Sequence, residues 1–76
     1  MEAKILEILK DINEDIITYD GTDMLKEGII DSYEIIEIVS RLVEEFNIEV
    51  DAEYVTAVNF SNKDTIVEMV KKIVQG

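Results

Sequence analysis

The chain has 76 residues, 18 acids against 7 bases for a formal net charge of −11, and neither cysteine nor histidine. That length holds one small domain, residues 1–76, with a single thin core. The missing residue types exclude Cys/His zinc sites and any nucleophile that relies on a histidine base. The acidity is a poor match for nucleic acid or an anionic membrane and a good one for a basic protein surface.

The first helical periodicity runs from about Glu2 to Ile17, with Ile5, Ile8, Leu9, Ile12 and Ile16 on one face. No basic region followed by an apolar run opens the chain, so no secretion signal is expected and the cytoplasm is the expected compartment. Within this stretch, Asp11 to Asp15 imitates the start of a calcium loop, but Ile16 stands where the loop needs glycine. No resident metal is expected.

Thr18 to Asp31 is rich in Asp, Gly and Thr and long for a helix connection. Leu25, Ile29 and Ile30 are expected to pin it to the core. Asp20 to Asp31 also fails as a calcium loop, with Met24 and Leu25 at its fifth and sixth positions.

The second helix is expected from Ser32 to Phe46. At about 100° per residue, Ile35, Ile38, Val39, Leu42, Val43 and Phe46 share its core side. The outer side carries Tyr33, Glu37, Ser40, Arg41 and Glu44, with Glu34 and Ile36 at its margins. Between Glu27 and Glu53 stand nine acids and one base, Arg41. Apolar Tyr33 and Ile36 ringed by carboxylates suit a docking surface, and equally a solvated helix face with Tyr33 against the loop.

Asp31 and Glu34 have the spacing of a capping arrangement, worth about 1 kcal/mol for the cap. That explains both acids and leaves the Ser32 hydroxyl unclaimed in the first turn. The positive helix pole there also favours a phosphate.

Asp51 to Val58 reads as a short helix with Tyr54, Val55 and Val58 facing inward, preceded by a buried extended connector through Ile48 and Val50. The last helix is expected from about Asn62 to Val74, with Ser61 and Asp64 as its start signal. Its stripe is Ile66, Val70, Ile73 and Val74, and Lys71 and Lys72 suit its negative pole. The expected fold is all-α, a small bundle of three main helices plus one short helix.

The stretch Gly28-Ile29-Ile30-Asp31-Ser32-Tyr33-Glu34-Ile35-Ile36-Glu37-Ile38, continued by Leu42-Val43-Glu44-Glu45-Phe46-Asn47-Ile48-Glu49-Val50, resembles the acyl carrier protein family. It is similar to that family's loop ending in Asp-Ser-Leu, followed by an acidic helix closing on Glu-Glu-Phe. Length, net charge and helix order agree over nearly the whole chain.

The resemblance implies a non-enzymatic, monomeric carrier whose Ser32 receives a covalent 4′-phosphopantetheine arm from coenzyme A. A phosphopantetheinyl transferase would activate the hydroxyl, and Asp31 would help organise that enzyme's magnesium ion. The arm's thiol would hold acyl or aminoacyl groups as thioesters for fatty acid, polyketide or related biosynthesis. Asp31 and Tyr33 flank the attachment point. With Glu34, Ile36, Glu37, Ser40, Val43 and Glu44 they match the family's recognition surface for loading and processing enzymes with basic docking faces.

This sequence departs from the pattern at Tyr33, where leucine is usual, at Ser40, where methionine is common, at Asp51, where proline is frequent, and at Asn59-Phe60. These departures leave the pathway open, with nonribosomal peptide and D-alanyl carriers among the options. The alternative reading is an unmodified acidic helical interaction module.

Overall fold

A computed structural model describes all of residues 1–76. It is all-helical: α1 spans Glu2–Ile12, α2 Asp15–Thr18, α3 Ser32–Phe46 and α4 Lys63–Gln75, with one 3-10 turn at Ala52–Tyr54. The three long helices and one short one match the expected class. The short α-helix, however, follows α1, and Asp51 to Val58 forms only the single 3-10 turn. No helix is long and apolar enough to cross a membrane.

The periodicity that predicts one helix to Ile17 is interrupted at Asn13, whose backbone is extended (φ −161°, ψ 104°). Its side-chain Oδ1 accepts the Asp15 N–H at 3.0 Å, a local bond that competes with helix propagation. Helix resumes for one turn, which still delivers Ile16 to the core with no exposed surface.

Ile5, Ile8 and Leu9 of α1 are buried among Ile35, Ile38 and Leu42 of α3 and Ile66, Val67, Met69 and Val70 of α4. α1 packs against each of the other helices and so lies at the centre of the bundle. Ion pairs fasten its outside: Arg41 to Asp11 at 3.6 Å, Lys4 to Glu45 at 3.8 Å and Lys71 to Glu2 at 3.3 Å. Exposed pairs of this kind contribute about 0–1 kcal/mol each, so apolar burial carries the fold.

The 18–31 connection is pinned by Met24 and Ile30, both buried, while Leu25 is exposed. Met24 reaches inward because its N–H donates to the Ser61 carbonyl and its own carbonyl accepts from Ile29 and Ile30. Gly28 closes this turn at φ +77°, in the left-handed region that favours glycine.

Ahead of α4, half-buried Tyr54 packs against the core as expected, but Phe60 takes the place of the two valines. Phe60 is fully buried, whereas Val58 is 74% exposed and Val55 40%. The reason lies in the cap. Asn62, not Ser61, starts α4: its Oδ1 accepts from the Thr65 N–H, and the Thr65 hydroxyl oxygen accepts from the Asn62 N–H. The Ser61 hydroxyl instead donates back to the Ala57 and Val58 carbonyls. Val67 and Met69 also join the buried face of α4, and Val74 is exposed.

Candidate functional site

The loop that delivers the chain to α3 is held at both ends. At its far end, Asn62 Nδ2 donates to the Gly21 carbonyl at 3.0 Å. Beside it the Tyr19 hydroxyl donates to Glu27 Oε2 and accepts from the Asp23 N–H, both at 2.9 Å. Gly21 is needed here for close approach, since a Cβ would collide with the Tyr19 ring and hydroxyl. At the near end, Asn13 Nδ2 donates to the Ile29 carbonyl at 2.9 Å and to Glu34 Oε2 at 3.2 Å.

Asp31 is the N-cap of α3, as its spacing with Glu34 predicts. Its Oδ1 accepts from the Glu34 N–H at 2.8 Å, and Glu34 Oε1 accepts from the Asp31 N–H at 3.3 Å. The first helical bond is Ile35 N–H to the Asp31 carbonyl. This reciprocal box is complete without Ser32. Of the first turn's donors, the Ser32 and Tyr33 N–H groups have no partner within the protein.

Ser32 is therefore an exposed hydroxyl at the first position of α3, with two free N–H groups and the positive end of the helix dipole beside it. The two free N–H groups and the helix pole suit a phosphodiester oxygen, with the carboxylates of Asp31 and Glu34 held in the cap on the same turn. None of the surface concavities borders Ser32. The largest, about 440 Å³, lies at the other end of α4 among Ile48, Tyr54, Lys72 and Ile73.

The remaining candidate residues separate into two groups. Tyr33 is 74% exposed and Ile36 65%, with Val43 at the edge of the same strip and Glu37, Ser40 and Glu44 exposed along it. Glu37 and Glu44 take part in none of the ion pairs. Arg41, the one base of this region, leans to the other side of α3 and spends its charge on Asp11 of α1. Glu34 lies on that same side, half-buried, with both oxygens accepting hydrogen bonds.

The free strip thus carries apolar surface and uncompensated negative charge, while Glu34 and Arg41 tie α3 to α1. Sequence reasoning missed Asn13. The signal was present as an amide inside an otherwise apolar-periodic run, flanked by Asp11, Glu14 and Asp15. Among known proteins, no family model matches the chain, and no curated protein or solved structure matches it either.

Proposed function

We propose that this protein is an acyl carrier, modified on Ser32 with 4′-phosphopantetheine and recognised through the outer strip of α3. The observation that carries the reading is the Ser32 hydroxyl: exposed, at the head of α3, and left out of a complete capping box. The family resemblance of residues 28–50 adds the identity of the group.

In the proposed modification, the Ser32 Oγ attacks the β-phosphorus of coenzyme A. A P–O bond forms to serine, the bond to the bridging pyrophosphate oxygen breaks, and 3′,5′-ADP leaves. The serine proton passes to a base of the transferase, which this chain does not need to supply. The Ser32 and Tyr33 N–H groups would be the donors available to the phosphodiester, while Asp31 holds the helix start in place. When bound, the arm supplies a terminal thiol for thioester attachment of an acyl or aminoacyl group.

Partners dock on Tyr33, Ile36 and Val43 as the apolar contact and on Glu37 and Glu44 as the charged rim. A basic surface on the transferase or on the loading and processing enzymes complements it, with faster encounter at low salt. The intact mass of protein isolated from its native cells tests the reading. An excess of one phosphopantetheinyl group, mapped to the peptide that spans Ser32, supports it. A mass equal to the bare sequence supports the unmodified interaction module instead.

A further inference from the structure

We propose that Asn13 is a positioning residue for Ser32, setting how its hydroxyl is presented for modification; this rests on the carrier reading. The amide of Asn13 reaches both flanks of the serine. It donates to the carbonyl of Ile29, three residues before Ser32, and to the carboxylate of Glu34, two residues after it. Glu34 passes the restraint on, because its other oxygen accepts from the N–H of Asp31, the residue bonded to Ser32. One half-buried amide at the end of α1 thus fixes the loop, the cap and the first turn of α3 relative to the core.

The break in the helix gives this amide its reach. Apolar residues continue at helical spacing through Asn13 to Ile16. The helix breaks at Asn13 instead, and that break frees the side chain to span from α1 to α3. The docking strip of Tyr33, Ile36 and Glu37 does not touch this amide, so positioning and docking are separable in kinetics.

The test uses the full chain, coenzyme A, magnesium and a promiscuous phosphopantetheinyl transferase, with initial rates read by mass. Asn13→Asp keeps the acceptor for the Asp15 N–H but loses both donations and sets a carboxylate against Glu34. It lowers kcat by about tenfold or more while leaving the KM for the carrier within about twofold, the pattern of a misplaced reacting group. The double variant Asn13→Asp/Glu34→Gln restores a hydrogen bond of reversed polarity, since the new amide at 34 donates to the new carboxylate at 13. It recovers part of the lost kcat.

Asn13→Ser provides the same comparison if Asn13→Asp loses its helical circular dichroism. Wild-type kcat in a folded single variant overturns the assignment. So does a loss that the double variant does not recover, or unfolding of both single variants, which makes Asn13 purely structural. A wild-type chain that accepts no arm at all removes the carrier reading and this assignment together.

Discussion

Asn62 and Gly21 are joined by a 3.0 Å hydrogen bond across 41 residues of chain, from the same side chain that caps α4. One amide therefore anchors the start of the 18–31 loop and begins the last helix. Asn62→Ala removes the cap and the loop bond together and destabilises the protein by about 2 kcal/mol. Asn62→Asp keeps the capping oxygen and loses only the donor, for about half that cost. Urea unfolding of the two variants reads the difference, and equal losses would show that the loop bond contributes nothing.

Phe60 is the second test of the fold. Its ring has no exposed surface, so Phe60→Ala costs about 3–5 kcal/mol. A domain of this size has about 4–11 kcal/mol in total, so the variant is expected to be largely unfolded on warming. Val58→Ala, at a side chain 74% exposed, changes stability by no more than about 0.5 kcal/mol. Thermal melts followed by circular dichroism compare the two. A stable Phe60→Ala variant would contradict the placement of the core.

These two residues also show where the sequence stops being legible. The long helices and the Asp31–Glu34 box follow from periodicity and spacing, because helix faces and caps are local properties. Asn62 and Ser61 both have the chemistry of a cap, and the choice between them depends on Gly21, which is remote in sequence. Phe60 and Val58 compete for the core in an irregular segment that has no period to read. Asn13 likewise acts through Ile29 and Glu34, contacts that only the folded chain makes. At the site, the exposure of Ser32, Tyr33 and Ile36 follows from helix phase, whereas the withdrawal of Glu34 and Arg41 toward α1 depends on Asn13 and Asp11.

Tyr19 supplies a prediction in pH. Burial of its hydroxyl raises its pKa above the ordinary 10.0; the Asp23 N–H opposes this and the Glu27 carboxylate reinforces it. The folded chain thus prefers the neutral phenol more than the unfolded chain does. Its stabilisation is present in full below pH 10 and is lost as the pH rises through the higher folded value. The phenolate absorbance of wild type minus that of Tyr19→Phe should titrate above a free tyrosine. Tyr19→Phe loses both hydroxyl hydrogen bonds and should be the less stable protein at neutral pH, by a margin that narrows as the pH rises through the folded value. A difference titration at or below the ordinary value would contradict the clamp around Tyr19.

Glu37 tests the docking strip. Its carboxylate is exposed and unpaired, so Glu37→Lys leaves the helical circular dichroism intact. With the transferase at low salt, the KM for the carrier is expected to rise by about tenfold, and the effect to shrink as salt is added. An unchanged KM at low salt would remove Glu37 from the docking surface.

Ser32 remains the central claim, and intact mass tests it most directly. The full chain and its Ser32→Ala variant are incubated with coenzyme A, magnesium and a promiscuous phosphopantetheinyl transferase. The wild type is predicted to gain the mass of one phosphopantetheinyl group and Ser32→Ala to gain nothing. No gain in the wild type, or an equal gain in both, contradicts the carrier function.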